Sequence, residues 1–506
     1  MADRATPGAV PPPVETFLAQ DPAASVLGPA TRPGPSAQVA VVATDVASLR
    51  DLDCPPGVLT RVVGIFLHEG AAAPVVVPRP EWPALRSQRS RRARHGWWTV
   101  LRFTAPVDLA LVLREAAAQS VWGARGSWVV AGAAGPDVRV VNPVGFLLDA
   151  PEPVRALGDL DLHGGVSAAV VAGLRPVRGV RVERWEAADP GTLEALCLAG
   201  VPVVGPGGDG PAAAPAPALS PALSPALSPA LVEALSCEVD LDDPLAREEH
   251  SLVLRRAAYD AVTARSGVAR QPAVSVLLAT RRAEMLDFAL AQIARQRGVE
   301  RLELVLAPHG FDVDPQRVRE LVGPGVTAQV LPQPASTPFG DVLERAARAA
   351  GGDVVLKMDD DDWYAPDVVA DLLRARGYSG AEMVGMPAEL HYLTEQDLTV
   401  KRGHPTELYA RFVAGGTMLV DRSVLREVGG FRSVTKYVDA QLISAVLAAG
   451  GAIYRTHGLG YVLRRNPTGH TWQVDVDYLL DPSRTAATWP GFRPSRLLEA
   501  DPRHLP

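Results

Sequence analysis

The chain has 506 residues, 47% hydrophobic and 21% charged, with a formal net charge of −7. That length accommodates two or more domains with separate cores, and the acidic balance argues against a general nucleic-acid binder, which presents a basic face. Cys54, Cys197 and Cys237 are far apart and form no CxxC pair, which points away from a zinc cluster and from a disulfide framework.

The opening residues MADRATPGAVPPPVETF lack the apolar core of a signal peptide. No uninterrupted apolar run reaches about 18 residues, so no membrane span is expected. The expectation is a reduced, cytoplasmic protein, with peripheral membrane contact left open. Residues 1–36 are rich in Pro and Ala without periodicity and read as disordered. From Gln38 the pattern changes. AVVAT (40–44), VVGIFLH (62–68), WWTVLRF (97–103), SWVVAGA (127–133) and VRVVNPV (138–144) read as strands. PVDLALVLREAAAQ (106–119) has apolar residues at helical spacing, with Pro106 at its start. Residues 191–206 read as helix, glycine stop and buried strand. Together 37–207 form an expected accessory α/β domain. Glu186 and Glu194 faintly resemble the Glu-x7-Glu segment of GT-B glycosyltransferases; an ordinary helix–turn–strand unit is the alternative.

Residues 208–231 form a Pro/Ala-rich linker in which PALS repeats three times from Pro217 to Ser228. A four-residue proline repeat sustains neither helix nor ladder, so an extended spacer is expected. Residues 232–270 form a connecting segment whose helix, 244–265, is opened by Asp243 and Pro244. Beyond it strands and helices alternate: AVSVLLA (273–279), LELVLA (302–307), AQVL (328–331) and VVLKM (354–358) as strands, with helices around Leu286–Ile293 and after Thr337-Pro338. This predicts a mostly parallel, Rossmann-like sheet covered on both faces over 271–480, followed by a tail, 481–506. Ligands of such sheets bind beyond the carboxyl ends of the strands.

At the end of the fourth strand stands MDDDDWYAP (358–366). In extended chain Asp359 and Asp361 point the same way and offer a hard oxygen site suited to Mn²⁺ or Mg²⁺. Such a cation relieves the repulsion among the carboxylates and serves a departing diphosphate. The alternative is a solvated acidic turn that caps the next helix.

Four pieces in order make residues 273–480 resemble an inverting family 2 glycosyltransferase of GT-A fold. VSVLLATRR (274–282) is similar to its opening strand and nucleotide loop, and MDDDDWYAPD (358–367) to its Asp-x-Asp segment. AGGTMLVDRSVLREVGGF (414–431) resembles its acceptor-side strand, helix and turn, and YVDAQL (437–442) stands where it carries the catalytic acid. The chain departs from the family after the second strand, where APHGFD (307–312) replaces an Asp-Asp-Gly-Ser-like turn.

The resemblance implies a nucleotide-diphosphate sugar donor, a glycan or other hydroxyl acceptor, and a single in-line displacement assisted by a base and a cation. It places Asp439 as base, with a helix N-cap as the alternative role. Asp361 is the first metal ligand, and Asp359 shares the cation or meets the ribose. Thr280, Arg281, Asp312, Lys357 and Asp360 join the donor site; Lys357 reaches phosphate, pairs with Asp359, or is simply a sheet-edge lysine. His470 is the candidate third metal ligand, with His457 competing, and Arg464 and Arg465 face diphosphate. A hairpin is expected over 391–412 on the acceptor side, and Glu389, just before it, and Glu407, within it, are placed near a sugar or in solvent. Two other functions fit the same residues: a nucleotidyltransferase, and a non-catalytic glycan- or nucleotide-binding scaffold.

Overall fold

The computed structural model describes Val14, Leu18 and residues 25–27, 38–68, 85–93, 96–117, 140–206, 226–265, 271–465 and 476–500, a few positions within these ranges excepted.

The first sheet holds β1 (Ser25–Leu27), β2 (Gln38–Ala43), β3 (Leu59–Leu67), β4 (Leu85–Ala93) and β5 (Gly96–Asp108), in the order β1-β2-β3-β5-β4. The first three strands are parallel, and β5 runs antiparallel to β3 and β4. β1 falls in the stretch expected to be disordered: Leu27 is buried against the core of this sheet, which supplies the apolar contact that composition alone did not promise. Pro106 lies inside β5 rather than opening a helix. The helical stretch 109–114 begins after Asp108, whose Oδ1 accepts from Ala110 N at 2.8 Å. Residues 127–133 lie outside the described residues, and of 138–144 the described part, 140–142, is a turn.

A three-stranded parallel sheet of β6 (Arg155–Ala156), β7 (Val180–Arg181) and β8 (Val203–Val204) follows, with α1 (Ala168–Leu174) and α2 (Pro190–Leu198). The last PALS repeat does not stay extended to 231. Ser228 Oγ accepts from Leu231 N, and Pro229 takes the first position of α3 (Pro229–Leu235), where a missing N–H costs nothing. Then α4 (Pro244–Arg265) runs 22 residues, opened by Asp243 Oδ1 accepting from Leu245 N at 2.9 Å.

The remaining chain supplies β9 (Val274–Thr280), α5 (Leu286–Ala294), β10 (Leu302–Pro308), α6 (Pro315–Val322), β11 (Val326–Val330), α7 (Phe339–Ala349) and β12 (Val354–Met358). After the acidic run come β13 (Trp363–Tyr364), α8 (Val368–Ser379), β14 (Met383–Gly385), β15 (Leu390–Leu393), β16 (Leu398–Arg402) and β17 (Leu408–Tyr409). The last elements are β18 (Leu419–Asp421), α9 (Arg422–Glu427), α10 (Val438–Ala448), β19 (Ile453–Arg455), β20 (Tyr461–Arg465), α11 (Val476–Leu480) and β21 (Thr485–Pro490). Eight strands form one sheet in the order β11-β10-β9-β12-β18-β14-β19-β17, in which β11, β10, β9 and β12 are mutually parallel. The chain moves outward from β9 to β11 and then returns to the other side of β9. The carboxyl ends of β9 and β12 therefore form a topological switch point, where such sheets open a crevice.

Both faces of this sheet are covered. Along its central strands Leu278, Leu304, Leu306 and Leu356 belong to one core, and Leu277, Val305, Ala307 and Val355 to the other, as period-two alternation requires. The expected hairpin over 391–412 forms as β15–β16, but it belongs to a second sheet, β13-β20-β15-β16-β21. The first of the two cores also crosses the boundary expected at the proline repeat. Val180, Trp185, Leu193, Leu196, Val203 and Leu231 are contiguous with Leu254, Leu278 and Leu304. The β1–β5 sheet instead keeps apolar clusters of its own.

Candidate active site

The acidic run begins where β12 ends, so its four carboxylates are delivered to the switch point. Three of them are divided between two protein cations. Lys357, 3% exposed, extends Nζ to Asp359 Oδ1 at 2.6 Å and to Asp439 Oδ1 at 3.4 Å. Burial works against its charge, but the two carboxylates outweigh that and hold the ammonium pKa above the usual lysine range. Arg282, two residues past β9, binds Asp360 through Nε at 3.1 Å and through a second nitrogen, and reaches Asp361 Oδ2 through a third at 2.8 Å. Thr280 Oγ1 donates to Asp360 and accepts Arg282 N at 2.9 Å. Burial pushes the Asp360 pKa up, opposed by these bonds.

Asp362 is the structural member of the run. Its carboxylate accepts from Tyr461 Oη and from Arg464 N, the latter at 2.9 Å. Burial, with the Asp361 and Asp359 charges, raises its pKa well above the carboxylate range. Tyr364 Oη accepts Asp359 N at 2.8 Å and donates to Gly416 O at 2.9 Å, pinning the start of the run to the 414–417 segment. The Arg464 guanidinium stacks 4.1 Å from the Trp363 ring centre and 4.8 Å from that of Phe288.

Asp439 lies in the first turn of α10. Beyond the ion pair with Lys357, no hydrogen bond reaches its buried Oδ1 among the described residues. A carboxylate that simply capped the helix would have a depressed pKa. Here burial raises it, against the pull of Lys357 and with the push of Asp359. Gly415 and Gly416 make this approach of segments possible. A Cβ at Gly415 would collide with the Asp439 carboxylate, and one at Gly416 would stand 2.7 Å from both Tyr364 Oη and Tyr461 Oη and 2.8 Å from Asp359 Oδ2.

The site thus gathers Thr280, Lys357, Asp359, Asp360, Asp361 and Asp439. Arg281 turns aside to His309, with Nε 2.9 Å from Nδ1, and to Ala335 O. Asp312 is exposed on the loop beyond β10. His457 is buried on Asp371, with Nε2 3.0 Å from Oδ2, in a network with Arg256 on α4. His470 lies outside the described residues. Glu389 and Glu407 are neither solvated nor open to a ligand. Glu389 pairs with Lys401, and Glu407 with Arg255 at 2.6 Å, Tyr378 Oη and Tyr454 Oη. Glu194 pairs with Arg265.

Asp359 and Asp361 supply the carboxylate oxygens that Mg²⁺ and Mn²⁺ take, and the Asp359 side chain is 34% exposed. Among the described residues no three His, Cys, Asp or Glu side chains close around one point. A cation here would rest on two carboxylates and draw its other oxygens from phosphate and water, the usual arrangement for Mg²⁺ at phosphate sites. The residues fit on those terms.

No protein-family model and no curated protein matches the sequence. Among solved structures, the chain is similar to a mannosyltransferase, PcManGT from Pyrobaculum calidifontis, determined with GDP-Man and Mn²⁺. The identity is 17% and the TM-score 0.33, over 40% of this chain and 59% of that one. It is also similar to residues 1–349 of TarS from S. aureus, at 17% identity and TM-score 0.30, over 38% of this chain and 60% of that one. The chain therefore spans about six-tenths of the length of either solved structure.

Proposed function

We propose that this chain is a metal-dependent glycosyltransferase of GT-A type, moving a sugar from a nucleotide-diphosphate donor to an acceptor hydroxyl with inversion, in the synthesis of a cell-envelope or secondary-metabolite glycan. The observation that carries the reading is the meeting of Asp359 and Asp439, 80 residues apart in sequence, at Lys357 Nζ beside Asp361.

In this reading Asp439 takes the acceptor proton. Its raised pKa moves it toward the range in which a carboxylate accepts a proton during reaction and passes it on. Lys357 holds Asp439 and Asp359 side by side and fixes their separation. Asp359 and Asp361 hold Mn²⁺ or Mg²⁺, with His470 as the further ligand; the bound cation supplies electrophilic stabilisation of the departing diphosphate. Thr280 and Arg282 position Asp360 at the nucleotide side of the crevice. Arg281, carried by the resemblance of the 274–282 loop, and Asp312, in the 307–312 turn that departs from that family, remain proposed contacts of the nucleotide.

The test is donor turnover. Purified protein with Mn²⁺ is incubated with a panel of nucleotide sugars that includes GDP-mannose and UDP-N-acetylglucosamine. Slow hydrolysis of one member is expected, abolished by Asp361→Ala. Asp439→Asn should lose transfer while retaining the nucleotide-induced rise in melting temperature. Absence of both turnover and thermal shift across the panel overturns the reading.

A further inference from the structure

The backbone at Tyr437 takes φ 61°, a left-handed conformation that a bulky side chain seldom adopts. The same residue is 72% exposed, more than any other large hydrophobic side chain among the described residues. A strained backbone that presents an aromatic ring to water serves neither packing nor stability, and such outliers collect where ligands bind. Tyr437 immediately precedes α10, two residues before the Asp439 carboxylate. On the other side of that carboxylate, Gly415 packs directly against Asp439, and three residues before it Phe412 stands 51% exposed.

We propose that Tyr437 is the platform on which the acceptor stacks, and that the acceptor is a saccharide. The inference rests on the transferase reading above. A pyranose has a face of C–H bonds and a rim of hydroxyls. The C–H face packs on the electron-rich face of an aromatic ring, and the rim then presents a hydroxyl to a carboxylate one short step along the chain. A lipid acceptor needs a continuous apolar groove. The approach to Tyr437 is Arg432, Ser433, Val434, Thr435 and Lys436, all partly or fully exposed and mostly polar.

Saturation-transfer NMR on the full chain tests this, with the methyl glycosides of mannose, glucose, galactose and N-acetylglucosamine as probes. At least one glycoside should receive saturation at the ring protons of one face. Tyr437→Ala should reduce that signal about fivefold, the scale of one aromatic contact, and Tyr437→Phe should keep it. Tyr437→Gly removes the ring while relieving the backbone. It should lose the signal as Tyr437→Ala does, yet melt at or above the wild-type temperature. With a glycoside that serves as acceptor, Tyr437→Ala should raise KM rather than lower kcat. Equal saturation in wild type and Tyr437→Ala, equal loss in Tyr437→Ala and Tyr437→Phe, or no saturation of any glycoside by the wild type overturns the platform. Saturation that depends on Tyr437, in a protein that turns over no nucleotide sugar, upholds the platform and removes the transferase.

Discussion

Lys357 gathers two carboxylates at one nitrogen, and Arg282 gathers two more at one guanidinium. A chain that places four aspartates in succession has here supplied its own counter-charges, so an entering divalent cation must compete with them. The Arg282 side chain is 31% exposed, which cuts its hold on Asp361 from the several kcal/mol of a buried pair to about 1 kcal/mol. Arg282→Ala should therefore tighten Mn²⁺ binding without nucleotide by about fivefold, measured by electron paramagnetic resonance of free Mn²⁺. Unchanged or weaker binding would mean that the guanidinium does not compete. Gly415→Ala drives a Cβ into the Asp439 carboxylate and should lower kcat about 100-fold, the cost of an ångström's misplacement at a reacting group, while circular dichroism stays native. Of these residues the sequence displayed the acids and Lys357, conspicuous by its rarity. Arg282 was present in the nucleotide-loop motif but hidden by the abundance of arginine. Gly415 and Gly416 were hidden because a glycine in a loop has many reasons to be there, and the carboxylate that forbids a side chain lies 24 residues away in sequence.

At the scale of elements, α4 carries more than its position as a connector implied. The Asp243-Pro244 start made the helix visible. Its surroundings were not, because beside Leu252, Leu254, Ala258 and Val262 it also buries charged side chains. Arg255, Arg256, Glu248, Glu249 and His250 are all paired, with partners as distant as Glu407, 152 residues on. Apolar periodicity does not report the ion-paired part of a buried face. Arg256 binds Asp371 and Asp367 on and just before α8, the helix that leaves the acidic run. Arg256→Met should cost about 2 kcal/mol, because it removes charged hydrogen bonds from the buried Asp371 carboxylate while Arg374 and His457 stay on it, and a calorimetric melt of the variant reads it directly. The buried histidines give the pH dependence. Burial lowers His250 to about 4 and His391 to about 3, so the folded chain keeps them neutral while the unfolded chain protonates near 6.5. The unfolded state binds more protons below that point. Each histidine should therefore lose about 2 kcal/mol of its contribution between pH 7.5 and pH 5, while Glu389, pushed up by burial to about 7, works in the opposite sense over the same range. Urea denaturation of wild type and His391→Leu at the two pH values isolates one histidine: the variant should lose about 2 kcal/mol less on acidification, and equal losses would contradict it.

Over the whole molecule, the proline repeat and the hydrophobic core disagree about where the chain divides. Composition places a boundary at 208–231, and the abrupt change to Pro, Ala and Ser there is real. Composition cannot show which apolar faces meet across it. The faces of α2, β8 and α3 pack with those of α4 and β9 in one contiguous core, and Arg265–Glu194 and His250–Val203 join the same two sides. The β1–β5 sheet, by contrast, holds its own clusters, and one visible link to the rest is the Trp97–Tyr409 edge contact at 6.4 Å. Cutting the chain in two places should therefore give opposite results. A protease site inserted after Pro217 and cleaved should leave two fragments that co-elute on size exclusion under native conditions and separate only in denaturant. Each apolar side chain buried across the seam contributes about 1.5–3 kcal/mol to their association. A chain begun at residue 140 should fold, because it removes only the sheet with its own core. One begun at residue 271 should be insoluble, because it exposes the apolar faces of β9 and α5 that α4 and its neighbours cover. If the cleaved fragments drift apart as two stable proteins, the proline repeat is the true seam and the shared core is not what holds the molecule together.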